Sequence, residues 1–190
     1  MWNDPSELVV ASNGQVYVAP VGTPLPVNPT TALNAAFTGL GFVTEDGVSL
    51  SVSPEIQDFG AWQSRQPVRR ELTAQEVLAS FALEQWNETT VPLAFGGGEV
   101  TSPSTGVYRY ELPSGNLALD ERSLVIDSID GDRHMRFVIP RGNITDAVET
   151  SLQRTELSVL PIAFKALEPL NGGTPMYFLS DDAAAFAVGS

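Results

Sequence analysis

The stretch SLVIDSIDGDRHMRFVI, Ser123–Ile139, decides the fold class. Two runs rich in β-branched and aliphatic residues, Ser123 to Ile129 and Arg133 to Ile139, flank Asp130-Gly131. An Asp-Gly pair between such runs favours the primed turn whose twist matches that of the strands it joins, so the segment reads as a β-hairpin. The same alternation recurs on both sides of it. Gln15 to Ala19 reads as a short strand, and Phe37 to Thr44 as another, interrupted by Gly39 and Gly41. In Val48-Ser49-Leu50-Ser51-Val52-Ser53 every second residue is apolar and the intervening ones are small hydroxyls, which predicts one buried face and one polar, uncharged face. Leu72 to Gln85 has helix-forming composition, yet Val77, Ala79, Phe81 and Leu83 alternate, and the alternation assigns it to a strand. A long strand is expected over Ser151 to Ala166, with Pro161 marking a bulge or an unpaired edge position, and Met176 to Leu179 closes the series.

One short helix interrupts this pattern. Asn87, Thr89 or Thr90 caps its start, Gly96-Gly97-Gly98 ends it, and Pro92 keeps it from extending, so it occupies about 87–95. Pro20 to Pro29, Gly97 to Gly106 and Pro169 to Pro175 read as surface connections, and no internal repeat is evident. The expected fold is mainly β (α+β): two packed sheets forming a sandwich or split barrel, one short flanking helix, and a single domain over residues 1–190. Pro54 to Arg70, PEIQDFGAWQSRQPVRR, fits neither period and reads as a long loop. It contains Phe59, Trp62, Arg65, Arg69 and Arg70, the residue types enriched at the energetic centres of protein interfaces. An interface loop and a loop folded back on its own domain both fit that content.

Composition narrows the function classes. The chain has 190 residues with 10 basic and 23 acidic side chains, a formal charge of −13. Only one lysine is present, Lys165, which argues against adhesion to nucleic acid through phosphate neutralisation. There is no cysteine, which removes thiol catalysis, disulfides and thiolate zinc sites. Charged residues are 17% of the chain where about 25% is usual, so much of the exterior is neutral and polar, as suits contact with other protein surfaces. The longest apolar runs, such as Val159 to Phe164 and Ala183 to Val188, fall far short of the ~18 residues of a membrane span. Met1 to Pro5 lacks the cationic start of a secretory signal.

Enzyme signatures are not found, and no cofactor is expected. His134 lies in a hairpin strand with no Gly-x-Ser-x-Gly elbow in the chain. Asp127, Asp130 and Asp132 lack calcium-loop spacing and suit a β-turn. The triple glycine is followed by Glu99, not Lys-Ser or Lys-Thr, so it cradles no phosphate. Glu45/Asp46 and Asp181/Asp182 are sequence neighbours that point to opposite strand faces. Asn87-Glu88-Thr89 and Asn143-Ile144-Thr145 match a glycosylation sequon, a pattern with a high false-positive rate.

Taken in order from Val16 to Leu167, VYVAPVGTPLP, LGFVTEDGVSLS, the loop ending in QPVRR, WNETTVPLAFGGG, RSLVIDSIDGDRHMRFVIPR and LPIAFKAL resemble the major tail tube proteins of long-tailed, non-contractile (siphovirus-type) bacteriophages, a resemblance that covers about Val9 to Leu179. The resemblance implies a structural subunit, not an enzyme, located in the virion tail tube and assembled in the bacterial host cytoplasm. Six copies would close into a ring around a β-barrel wall, and rings would stack into the conduit for the genome. The appended immunoglobulin-like domain of some relatives is not expected. Partners would be the chain itself, the tape-measure protein and DNA in the lumen without tight binding, and tail tip or baseplate and terminator proteins at the ends, with no membrane. The long loop would then bridge subunits or rings, with Phe59 and Trp62 as anchors and Arg65, Arg69 and Arg70 meeting acidic partners. Six copies of −13 amount to roughly −78 per ring, suited to repelling DNA gently. Ser49, Ser51, Ser53, Glu76, Ser80 and Glu156 are the lumen-facing candidates. Two rivals fit the same residues: a monomeric β-sandwich binding module that stacks Trp62 on sugar rings or docks protein, and another virion component such as a tail terminator.

Overall fold

A computed structural model describes residues 7–114, 119–144, 148–183, 185 and 186. The hairpin that opened the sequence reading is its centre: β7 (Arg122–Asp130) pairs antiparallel with β8 (Arg133–Ile144). The turn lies one residue later than expected. Asp130 pairs with Arg133, leaving Gly131-Asp132 as the loop, and Gly131 takes φ +63°, the left-handed entry that a Gly-x hairpin turn needs.

Numbered along the chain, the remaining strands are β1 (Asn13–Pro20), β2 (Thr38–Gly39), β3 (Ser49–Ala61), β4 (Ser64–Leu83), β5 (Val100–Ser104), β6 (Val107–Tyr110), β9 (Leu160–Ala166) and β10 (Tyr177–Ser180). Eight of the ten strands form one antiparallel sheet, ordered β2-β1-β7-β8-β9-β4-β3, with β10 on β8. β8 serves two neighbours along its second edge, because residues 135–138 pair with β10 and residues 142–144 with β9. The strip 38–44 ties the ends of this order together. Its start pairs with β1, Leu40 N–H donates to the Val16 carbonyl, Val43 bridges Leu83, and Thr44 N–H donates to the Ala82 carbonyl. Closing a sheet on itself removes exposed edges and encloses a core. Here that core is Val16, Val18, Leu40, Ala79, Phe81, Leu83, Leu124, Ile126, Ile139, Leu160, Ile162 and Phe164, with Leu93 and Ala94 of the helix.

The mainly β reading with one short flanking helix therefore holds. Val77, Ala79, Phe81 and Leu83 are buried at alternate positions of β4, as their period requires. The helix, α1 (Thr90–Ala94), is shorter than expected. Asn87 caps it: its Oδ1 accepts the backbone N–H of both Thr89 and Thr90, each at 2.9 Å. Asn87 is thus a structural residue, and Asn143 is buried, while Thr145 of its sequon lies outside the described residues. Residues 184, 187 and 188 of the apolar run 183–188 lie outside them too.

Three expectations are corrected. Residues 54–70 are not a loop but the outer parts of β3 and β4. Gly97 to Gly106 is not simply a connection, because β5 and β6 pair there as a small two-stranded sheet. The strand expected over Ser151 to Ala166 begins only at Leu160, since Leu152 and Leu157 are exposed and pair with no strand. Pro161 sits opposite Ala82 of β4, and β8 pairs with β9 only from Phe164 onward, so the missing proline N–H falls on an edge without a ladder partner.

Buried charge fixes the long connection after β1. Arg136 is 5% exposed and holds Asp127 with two hydrogen bonds, Nε to Oδ1 at 2.6 Å and Nη2 to Oδ2 at 2.8 Å. Its Nη1 donates to the carbonyls of Asn28 and Thr31, so a strand arginine clamps the proline-rich segment. The Tyr177 hydroxyl donates to the Pro26 carbonyl beside it.

Candidate assembly surfaces

β3 and β4 stay paired long after they leave the core. Their register runs from Ser49↔Ser80 to Phe59↔Arg69 and ends at Ala61↔Ser64 around Trp62-Gln63. From residue 52 to 75 every position but Ala61 is exposed. The outer part is a two-stranded arm that pairs with no other strand among the described residues. Thr73 is an extra residue in β4, a bulge that shifts the register between Glu55 and Ile56.

Cross-strand partners share a face, so the register sorts the arm's side chains. Val52 stands opposite the buried Val77, and Ile56 opposite Leu72, which places Val52, Ile56 and Leu72 on the continuation of the core face, and alternation along β4 adds Val68, four residues before Leu72. All four are between 47% and 60% exposed. Asp58 and Arg70 lie on the same face and bond to each other, Nε to Oδ1 at 2.8 Å. Phe59 and Arg69 occupy the opposite face, where Arg69 approaches Glu71 at 3.6 Å. Trp62 at the tip is 99% exposed. Two of the arm's three arginines therefore have acidic partners within the arm itself, while Arg65 makes no ion pair among the described residues. Residues 61–70 carry three arginines and no carboxylate, a formal +3 against −16 on the remainder of the chain (7 basic and 23 acidic side chains).

A second surface lies on the outward face of β3, β4 and β9. Register aligns three rows across it: Ser49–Ser80–Ala163, Ser51–Leu78–Lys165–Asn143 and Ser53–Glu76. The fold thus brings Ser49, Ser51, Ser53, Glu76 and Ser80 onto one face. Glu156 is not among them, since it sits in the strandless segment before β9. Beside these rows is an open depression of about 450 Å³ lined by Thr44, Asp46, Ser49, Ser80, Pro161 and Ala163, with Asp46 its one charged group.

Sequence reading missed Val52, Ile56, Val68 and Leu72 as a set. Their spacing is visible only once the pairing partner is known. It also missed Tyr108, 77% exposed on the β5–β6 hairpin. Where charge clusters, it is consumed by pairing. Asp130 and Asp182 both bind Arg133, and Asp127 binds Arg136. The Asp181 carboxyl lies below the usual carboxylate range because the His134 backbone N–H donates to it at 2.7 Å, reinforced by the imidazole at 2.9 Å. Glu121 is lowered likewise by a two-fold hydrogen bond from Arg141. Burial raises the hydroxyls of Tyr17, Tyr110 and Tyr177. No group of three or more His, Cys, Asp or Glu able to hold a metal occurs among the described residues. No helix among those residues is long and apolar enough to cross a membrane.

A two-stranded arm with exposed apolar residues thus stands off a closed sheet whose outward face carries several serines. A search of curated proteins finds no matching relative. A family model described as phage tail tube protein matches residues 1–189, and the chain belongs to that family, whose members are structural components of the viral tail.

Proposed function

We propose that this chain is the repeating subunit of a siphovirus-type tail tube, in which six copies close into a ring, rings stack, and genomic DNA passes through the lumen. The observation that carries this reading is the arm. An isolated two-stranded ribbon is marginal in water, and this one exposes four aliphatic side chains and Trp62. A neighbouring copy supplies the missing cover. A heterologous contact of this kind closes into a ring when its rotation allows, and stacks when the arm reaches the next layer. Phe59, Trp62, Arg65, Arg69 and Arg70 meet the neighbour in this reading; Arg69 and Arg70 already face Glu71 and Asp58 within the arm, and Arg65 is the cation offered to acidic groups of another copy.

The outward face of β3, β4 and β9 lines the channel. Its serines offer DNA neither a cation nor an apolar wedge, so transit is not slowed by tight binding. The tape-measure protein occupies this lumen during assembly in the host cytoplasm, and tip and terminator proteins bind the ends. The test is analytical ultracentrifugation with electron microscopy of purified protein at rising concentration. Rings or tubes are expected. A monomer at every concentration, even with tape-measure protein and tail-tip complex supplied, would overturn the proposal.

A further inference from the structure

We infer that the depression beside the serine rows is the socket for the arm tip of a second copy, with Trp62 seated in it and Arg65 paired to Asp46 in its lining. The inference rests on the tube proposal, which it sharpens by naming where the arm lands. Tip and depression occupy opposite ends of one ribbon. The depression gathers around Ser49 and Ser80, the pair that starts the β3–β4 register, and the tip lies beyond Ala61 and Ser64, the pair that ends it. From Ser49 to Ala61 is twelve residue steps, about 40 Å at ~3.3 Å per residue, a length that keeps the tip away from its own socket. A copy displaced by that length along the ribbon brings its depression to the tip. Such a contact joins two unlike patches and leaves one of each open at the ends, so it repeats from layer to layer.

The chemistry matches at both ends. Trp62 is 99% exposed, and an indole that gains cover buries about 150–250 Å² and needs an acceptor for its N–H. The depression, of about 450 Å³, is lined by the apolar Pro161 and Ala163 and by Ser49 and Ser80, whose hydroxyls can accept that N–H. Charge is complementary as well. Arg69 and Arg70 have acidic partners within the arm, whereas Arg65 makes no ion pair among the described residues. Asp46, the one charged group lining the depression, makes none among them either. Arg65 follows Trp62 by three positions across the tip, so a guanidinium with five donors arrives beside the indole, and the carboxylate it lacks in its own copy is the one the socket supplies.

The chain has no cysteine, so introduced cysteines report this contact alone. Gln63→Cys at the tip is combined with Ser80→Cys in the depression, and assembled tubes are oxidised and run on a denaturing gel without reductant. A ladder of covalent oligomers is expected, because each subunit links to one copy through its tip and to another through its socket. Gln63→Cys/Tyr108→Cys, whose second cysteine stands on the β5–β6 hairpin, is expected to give monomer. Charge exchange reads the same contact without a crosslink, at two exposed positions whose substitution spares the fold. Arg65→Glu and Asp46→Arg are each expected to raise the concentration needed for assembly about tenfold or more, and the two together to return it to within about threefold of the wild type. Tubes that give no ladder from the tip and socket pair, a ladder from the Tyr108 control alone, or single charge variants that assemble as the wild type does would overturn the socket and leave the tube proposal standing. Failure of the wild-type chain to assemble under any condition would overturn the tube proposal itself. Should the cysteine variants fail to fold, the charge exchange decides.

Discussion

Replacing Ile56 and Leu72 together by threonine separates the arm's role in association from its role in folding. The two residues face the same side of the ribbon as cross-strand partners, and 57% and 58% of their surface remains in water. Full burial of such a side chain is worth about 1.5–3 kcal/mol relative to exposure, so seating what is still exposed contributes about 1–1.5 kcal/mol for each. Threonine keeps a β-branched strand former and removes most of that apolar surface. The pair should then cost about 2–3 kcal/mol per arm contact, raising the protein concentration needed for assembly by roughly 30- to 160-fold. The folded monomer should be nearly indifferent, within about 0.5 kcal/mol per site, because exposed positions away from core features tolerate substitution. Sedimentation velocity over a concentration series reads the first effect, and thermal melting of the dilute monomer reads the second. Assembly at the wild-type concentration would refute the docking of this face. A lowered melting temperature with unchanged assembly would show that the stripe serves its own subunit instead.

Trp62→Ala combined with Arg69→Ala should leave the circular dichroism spectrum of the monomer unchanged while weakening association, since both side chains are exposed and neither meets the core; an unfolded double variant would place the arm in the subunit's own core. Acid should loosen the C-terminal strand. The carboxyls of Asp181 and Glu121 are depressed by their hydrogen-bond donors, so their contributions are complete above the ordinary carboxylate value of about 4 and are lost as pH falls through the lowered folded-state values. Thermal melts from pH 6 to pH 3 should show this decline, and Asp181→Asn should flatten part of it. Gly142→Ala should destabilise the barrel by about 1–3 kcal/mol or more, because a Cβ there would stand 2.5 Å from the Lys165 carbonyl and against the Phe164 ring; chemical denaturation with an unchanged midpoint would count against that packing.

What was legible in the sequence and what was not divide at the edge of the core. On the inner half of β4, Val77, Ala79, Phe81 and Leu83 alternate because one face is buried, and burial is what writes a period of two into a strand. The outer half of the same strand carries no such period, since residues 64–75 are exposed on both faces. Pro54 and the extra Thr73 disturb the rhythm further, so a ribbon reads as a loop. Ser151 to Val159 failed in the opposite direction. Leu157-Ser158-Val159 alternates over three residues, yet this segment pairs with no strand among the described residues, and the placement of Glu156 on a strand fails with it. The Glu76–Lys165 pair spans 89 positions and exists only through the β4–β9 register, which no local pattern encodes.

These misses share a physical origin. A sequence records its own core as periodicity, because each core residue must match partners within the same chain. A surface destined for another copy is constrained by that copy instead, and its residues need be complementary only across the interface. The proposed assembly therefore accounts for why Ile56, Leu72 and Trp62 are apolar where neither helix nor strand periodicity asks for it. It also accounts for why Arg65, close to the tip of the arm, makes no ion pair among the described residues. Aromatic and arginine residues at positions without a period are what the proposed association leaves in a sequence, since their partners lie on another copy.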